Sequence, residues 1–538
     1  MEPAPLLHRP PAWSPARAAA AVALAVAASL LLAHHTVLGS GLQRVPGDPG
    51  DVRFAHFVFE HTWGWLTRQP LHRSFWNAPF FFPAPNVVAY SEVFVGVLPP
   101  YWLFRALGAG PERAYALWLL STTALNAAVA VWFLRRVLGT GWCGSVAGAV
   151  LFAAGAPRAH VLNHPQLIGA YWSLVAVGLG VAALRAPGTR RARAAWLGAA
   201  IAFAAQTWSS YYLWWFLALA LLVAVLIALA VPGSRAALLE ALRRDGVVIA
   251  AATVLSLLLV YPLLHAWWSA ASVVGLRRTQ EVFLAKGQSW LNPGPDSWWY
   301  GWLVRRLAGM RHQDGEQQMG VGVLTLLAAV VALWRARRRE GVALLALTAL
   351  VLVLLATQLG PWRALSPWNV VAALVPGARA IRAVPRLGLV VLVAWSAGLA
   401  LAVDAAGRRR AWAGAALAVA CLLEQGISLW HFTPAEERAR VERLAATIPR
   451  DCSAFVYTPA PDGWPAWRTH IDAMWAAQLT GVPTLNGYSG NVPPGWKLEE
   501  CQVRSPADRA RLDDAVEAWI HRWSVPGRVC RLPVPPQL

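Results

Sequence analysis

Runs of about 18 or more residues with few charges recur along most of this chain, and nothing else in it constrains the fold as much. A helix of that length covers roughly 30 Å of hydrocarbon while making all its backbone hydrogen bonds internally. The expected fold class is therefore an α-helical polytopic membrane protein. Composition agrees: 57% of the 538 residues are hydrophobic and 14% charged, with a mean hydropathy of +0.44, outside the range of ordinary soluble domains. About eleven transmembrane helices are expected, near 18–38, 113–134, 141–156, 166–184, 195–209, 211–231, 247–266, 319–335, 341–358, 387–404 and 411–429. The segment Tyr90 to Ala109 is also apolar, but Pro99-Pro100 interrupts it and a crossing there would put later basic clusters on the wrong side. It is expected to be re-entrant or interfacial.

The net charge of +20 comes almost entirely from arginine, Lys286 and Lys497 being the only lysines. The arginines form no continuous patch, so nucleic acid is not an expected partner. They sit in short clusters between apolar runs, such as Arg190 to Arg193, Arg335 to Arg339 and Arg408 to Arg410, and mark cytoplasmic loops. On that rule residues 1–17 are a cytoplasmic segment leading into an uncleaved first helix. Residues 18–430 form the membrane domain, with outer loops at 42–91, 157–164, 271–318 and 361–386. The more polar tail, 431–538, is then a small extracytoplasmic α/β domain, in which "PAEERARVERLAATIPRD" and "HIDAMWAAQLTG" read as helices and "SAFVYT" and "VPTLNGYSG" as strands. One disulfide among Cys452, Cys501 and Cys530 is open to that tail, its pairing not readable. No phosphate-cradling loop or Rossmann fingerprint occurs, which counts against ATP-driven transport and nucleotide-sugar chemistry.

The polar residues of interest gather on the outer side. In "GDPGDVRFAHFVFEH", Pro49 holds Asp48 extended and Asp51 is placed to cap a helix starting at Val52. On that helix Arg53, His56 and Glu60 form one stripe, opposite Phe54, Phe57 and Val58, as in an interfacial helix. A carboxylate here suits a general base for a hydroxyl, and a second carboxylate or a metal could orient a phosphate. The turn "PRAHVLNHPQL" sets Arg158, His160, Asn163, His164 and Gln166 between two membrane helices. No acid accompanies its histidines, so a closed metal site is not expected there. Arg277, Arg278 and Lys286 could attract a phosphate or lipid head group. Asp314 and Glu316 precede a membrane helix, as helix-start carboxylates often do. Arg379, Arg382 and Arg386 lie on an outer loop against the usual charge bias, which phosphate contact would explain. Glu424, inside the last helix, needs a partner on another helix or a function.

These pieces, in this order, resemble the GT-C superfamily of polytopic glycosyltransferases. More closely they resemble a group of bacterial multi-pass members with a "GDPxD" first loop, an "H-x-x-x-H-x-Q/N-L" turn and an "R-A-x-x-R" loop. Here those are Asp48 with Asp51, "HVLNHPQL" and "RAVPR", and the tail "LNGYSGNVPPGW" is similar too. The resemblance implies a bacterial cytoplasmic-membrane enzyme taking a sugar from a polyprenyl-phosphate carrier to an extracytoplasmic acceptor, with inversion. It implies that Asp48 activates the acceptor, Asp51 second, and that Arg382 and Arg386 hold the carrier phosphate. It requires no cofactor. A divalent metal, on Asp48 and Asp51 if anywhere, stays open, since the adjacent Asp-Glu pair of better-known members is absent. A lipid-linked glycan flippase and a non-catalytic envelope protein with a partner-binding tail remain alternatives. A flippase should line a path through the bilayer with polar groups, whereas here they cluster at one surface.

Overall fold

The computed structural model describes residues 14–274, 283–360 and 366–532. Residues 1–13, Arg277, Arg278 and positions 361–365, part of the expected N-terminal segment and outer loops, lie outside the described residues.

Every expected apolar segment is helical. The helices are α1 (Pro15–Gly39), α2 (Asp51–Leu66), α3 (Pro99–Ala106), α4 (Pro111–Arg136), α5 (Trp142–Ala154), α6 (Tyr171–Leu184), α7 (Arg190–Ser209), α8 (Tyr211–Ala230), α9 (Pro232–Val274), α10 (Val323–Arg335), α11 (Glu340–Ala356), α12 (Gly388–Arg409) and α13 (Ala411–Leu423). Proline in the first turn, where its missing N–H costs nothing, opens α1, α3 and α4. By length and composition, six spans among the described residues can cross a membrane: Pro15–Gly39, Pro111–Arg136, Pro165–Leu184, Tyr211–Ala230, Pro232–Val274 and Val384–Arg409. Three shorter apolar helices stand beside these six, at Val323–Arg335, Glu340–Ala356 and Ala411–Leu423. Helices α5, α10 and α13 have 13 residues each, which is about 20 Å of rise. The segment expected at 247–266 is the middle of α9, 43 residues long with Pro262 inside it.

Apolar side chains on α8 and α9 stay exposed, among them Leu226 at 59% and Leu258 at 66%, as lipid-facing surfaces require. Where helices must touch closely, small residues let them. In "GSVAG" a Cβ on Gly144 would meet the Ala400 carbonyl at 2.3 Å and one on Gly148 would meet that of Ser396 at 2.5 Å, so α5 packs backbone to backbone on α12. The segment 90–109 makes two short 3₁₀ turns and α3, with no crossing. Glu424 finds its partners at the start of α10, accepting from Leu324 N at 2.9 Å and from Thr325 N and Oγ1 at 2.7 Å.

The tail contributes α14 (Pro434–Ala446), α15 (Ala466–Thr480) and α16 (Pro506–Trp523). Strand β3 (Ala454–Tyr457) pairs in parallel with β4 (Val529–Leu532), and Cys452–Cys530 joins the same two segments. "VPTLNGYSG" is not a regular strand. Apart from one bridge to Phe455, its backbone pairs with residues 79–82: Phe82 N donates to Thr484 O at 3.0 Å and Phe81 N to Asn486 O at 2.9 Å. A two-residue antiparallel ladder of β1 (Val45–Pro46) with β2 (His431–Phe432) ties the tail's first residues to the loop after α1.

Candidate active site

Helix α2 carries the first acids and departs from an interfacial helix. It is enclosed by protein: Phe54, Phe57 and Phe59 are at most 6% exposed, within a core shared with α3, α4 and the tail. Its polar stripe is buried as well. Arg53 pairs with Glu437 and Asp472, each at 2.8 Å. Glu60 pairs with Arg105 at 2.7 Å and accepts from Tyr101. His56 lies among Tyr101, Tyr115 and Trp475. These three expected substrate contacts therefore face away from Asp48 and Asp51, because hydrophobic periodicity marks a polar face without saying that α14 and α15 cover it.

The opposite face of α2 starts the site. Asp51 is the first residue of the helix and makes no capping hydrogen bond; Gly50 is the N-cap. The Asp51 carboxylate instead reaches across the chain, Oδ2 accepting from His164 Nδ1 at 2.8 Å and Oδ1 from the Tyr488 hydroxyl at 2.6 Å. The other ring nitrogen, His164 Nε2, lies 3.2 Å from Glu316 Oε1, and Glu316 in turn pairs with Arg386. The guanidinium of Arg386 stacks over the Tyr212 ring at 4.5 Å. Five side chains from five separated segments thus form one line, Tyr488–Asp51–His164–Glu316–Arg386.

Each link has a local cause. The turn bearing His164 is held by Arg158, fully buried, which donates to the carbonyls of Phe152, Leu167 and Ile168 at 2.7, 3.0 and 3.1 Å. Asp48 reaches that turn because Gly47 sits at φ +96° and a Cβ there would meet Asn163 Cα at 2.8 Å, so only glycine permits the approach. Asp48 Oδ1 then accepts from Gly50 N at 2.7 Å, and Asn163 Nδ2 lies 3.5 Å from Oδ2. Glu316 sits in a 3₁₀ turn and Arg386 in another just ahead of α12.

The charges in the line sustain one another. Burial alone would lower the His164 pKa, but hydrogen bonds to Asp51 and Glu316 outweigh it and hold the ring above its usual value, each ring nitrogen facing one carboxylate. Burial would raise Asp51, and its bonds to His164 and Tyr488 outweigh that, leaving the carboxyl below the ordinary range. Glu316 is opposed by burial too, yet Arg386 and His164 bring it down to about 2.

The remaining expected residues divide. His160 Nε2 bonds the Pro293 carbonyl at 2.8 Å and holds the outer loop rather than the acids. Gln166 lies in the 3₁₀ turn after His164, half-buried. Arg379 is exposed, its Nε 3.3 Å from the Ala372 carbonyl. Arg382 is exposed, stacked on Phe283 at 5.2 Å, and among the described residues forms no ion pair. Glu316 was readable only as a helix-start acid, and Tyr488 only as part of the tail motif. Glu92 went unmarked: buried, it accepts from Tyr211 N at 2.6 Å at the start of α8, and burial pushes it up to about 7.

Among the described residues no group of three His, Cys, Asp or Glu side chains is arranged to hold a metal ion. Of the two acids expected to hold a metal if one is used, Asp51 is engaged by His164 and Tyr488, while Asp48 accepts from Gly50 N and lies 3.5 Å from Asn163 Nδ2.

No family model matches the sequence, and no curated protein matches it. Solved structures do. One is the Archaeoglobus fulgidus oligosaccharyltransferase in complex with Zn and sulfate, with a TM-score of 0.51 and 12% identity over 87% of this chain and 62% of that one; its apo form matches at 0.50 and 12%, over 87% and 64%. Another is the arabinofuranosyltransferase AftD from Mycobacteria, with a TM-score of 0.50 and 18% identity over 90% of this chain and 32% of that one. The chain spans less than two thirds of the oligosaccharyltransferase and about a third of AftD. At such identities the likeness concerns the fold alone, which this chain shares with these two membrane transferases.

Proposed function

We propose that this chain, built on the GT-C fold, is a membrane glycosyltransferase that moves a sugar from a polyprenyl-phosphate carrier to an extracytoplasmic acceptor, with inversion. The observation that carries the reading is the line Tyr488–Asp51–His164–Glu316–Arg386 with Asp48 beside it. It sets a carboxylate and an arginine loop at one end of the helix bundle. On this reading that end is the outer face of a bacterial cytoplasmic membrane, and residues 431–538 are the extracytoplasmic domain that closes it.

Asp48 is the base. Its Oδ1 is engaged by Gly50 and its Oδ2 meets only the long contact from Asn163, whereas both oxygens of Asp51 are committed. Asp48 Oδ2 takes the proton of the acceptor hydroxyl as that oxygen attacks the anomeric carbon. The bond from that carbon to the carrier phosphate breaks, and the phosphate keeps the electron pair. Arg382, which lacks a carboxylate partner among the described residues, meets the growing phosphate charge and stabilises the transition state more than the ground state. Arg386 adds charge behind it, with its Nε unpartnered. Asp51 and His164 position the base loop. No step runs through a metal.

A lipid-linked donor is supported by an apolar cavity of about 680 Å³ that includes Leu213, next in sequence to Tyr212, and Leu389, three residues after Arg386, and reaches Val137, Leu184 and Gly341 at the other end of the bundle. Each buried methylene of a carrier chain there contributes about 0.8 kcal/mol. Its apolar walls do not suit the polar path that a glycan flippase needs. The test is in-vitro transfer from a panel of radiolabelled polyprenyl-phosphate sugars to membrane extracts. Asp48→Asn should lower the rate at least about a hundredfold without moving the melting temperature. Transfer by the variant at the wild-type rate, or none from any donor by the wild type, overturns the reading.

A further inference from the structure

A second cavity lies behind α2, on the side away from Asp51, and the proposed reaction makes no use of it. At 100° per residue, Arg53, His56 and Glu60 fall about 140–200° around the helix from Asp51. The cavity holds about 220 Å³, the space of about seven water molecules. Its walls come from α2, the start of α4, and α14 and α15 of the tail, and include His56, Tyr115, Trp475 and Gln478.

The charged side chains around it are already matched. Glu60 pairs with Arg105, Arg53 with Glu437, and Arg438 with Glu112. No net charge is left to attract a phosphate or a carboxylate, and desolvating one without a counter-charge would be unfavourable. What is left unmatched is neutral. His56 Nε2 and Gln478 Oε1 are buried without hydrogen-bond partners among the described residues, and His56 as a whole is only 7% exposed. Burial holds the His56 pKa down to about 3, against a small opposing effect of the Pro111 carbonyl, so the ring is neutral. A neutral imidazole keeps one nitrogen as an acceptor, a role open to the unpartnered Nε2. Tyr115 adds a phenol hydroxyl to the same wall and Trp475 an aromatic ring. Buried polar atoms are seldom left unpaired, and two acceptors, a hydroxyl and a ring face around a small neutral space match one ligand chemistry in particular.

We infer that this cavity binds one neutral sugar ring, its hydroxyls donating to His56 Nε2 and Gln478 Oε1 and its C–H face lying against Trp475. Gln69, Arg438 and Leu479 at the rim are exposed, so a ring carried on a longer glycan can enter past them. The inference stands on the cavity and does not require the transfer reaction.

The experiment is saturation-transfer NMR and titration on the full-length protein in nanodiscs. The probes are methyl glycosides of neutral hexoses and pentoses, then linear trisaccharides of whichever sugar binds. At least one glycoside should bind, and Gln478→Leu and His56→Phe should each weaken it at least tenfold. Asp48→Asn should leave it unchanged. Tighter binding of the trisaccharide upholds the site as a subsite for a glycan chain, and equal binding upholds it as a site for a single ring. If His56→Phe fails to fold, Gln478→Leu decides. The inference is overturned if no glycoside binds the wild type, or if binding survives Gln478→Leu and is lost in Asp48→Asn, which would place the sugar at the transfer site. Binding is read without turnover, so failure to bind and failure to transfer are separate results.

Discussion

The hydroxyl of Tyr488 donates to Asp51 Oδ1 at 2.6 Å across 437 positions of the chain. That bond makes the tail part of the site, since Asp51 holds His164 with its other oxygen. A hydrogen bond to an ionised group contributes about 1.5 kcal/mol or more, and about 1.4 kcal/mol is a factor of ten in rate. Tyr488→Phe should therefore lower kcat about tenfold while leaving the melting temperature close to wild type. A rate within twofold of wild type would show that Asp51 needs no help from the tail.

The pH dependence of stability follows from the opposed shifts in the line. His164 is raised, so what it contributes is complete below about pH 6.5, the unfolded value, and is lost as pH rises through its higher folded value. Glu316 is lowered to about 2, so its contribution is complete above the ordinary glutamate range and disappears only as pH falls toward 2. Melting curves in detergent from pH 5 to 9 should decline on the alkaline side for the wild type. His164→Gln should flatten that limb, and an unchanged slope would mean that His164 is neutral throughout.

Glu316 and Arg386 are a buried pair, with side chains 10% and 5% exposed. Breaking such a pair from one side costs about 3–5 kcal/mol, because the remaining charge is left uncompensated. Glu316→Gln and Arg386→Gln should each destabilise by that order. The double variant should be less unstable than the sum by at least about 1 kcal/mol, as read from denaturation in a mixed-micelle titration. Additive losses would rule out the coupling on which the line depends.

Arg382 and Arg379 share a loop but not a setting. Arg382 stacks on Phe283, and its backbone N donates to the Tyr212 hydroxyl at 3.2 Å, while the Arg379 guanidinium lies 3.3 Å from the Ala372 carbonyl. Arg382→Gln should raise the KM for a polyprenyl-phosphate sugar and lower kcat, each about tenfold or more, since a hydrogen bond between charged groups contributes about 1.5–3 kcal/mol. Arg379→Gln should change neither beyond twofold. Equal effects of the two substitutions would leave the phosphate held by loop charge in general rather than by Arg382.

Much of the architecture could be read along the chain. The helices fall where the apolar runs are, and the tail helices follow their 3.6-residue patterns. The strand expected at "VPTLNGYSG" failed because its alternating pattern was spent on pairing with residues 79–82, which no local signal announces. Hydropathy marks α5, α10 and α13 as apolar, but their length of 13 residues each, about 20 Å of rise, is set by where the chain turns. In the site, residue types marked Asp48, Asp51, His164 and Arg386 only within a wider set that also held His160, Asn163, Gln166, Arg379 and Arg382. Arg53, His56 and Glu60 carried the same polar signature, and only packing shows that Arg53 meets the tail acids, Glu60 meets α3 and His56 lies among rings from both.

Hydropathy and helical periodicity are properties of neighbouring residues, so the sequence by itself determined that this chain spans a membrane, where its helices run and which faces are polar. Whether a polar face meets solvent, a partner charge or a reactive pocket depends on segments far away in the chain. Only the tertiary structure decided that Asp51, His164, Glu316 and Arg386 share one line of hydrogen bonds. The same folding that closed this line buried Arg53 and Glu60 in ion pairs, since a charge removed from water must be matched wherever in the sequence its partner lies.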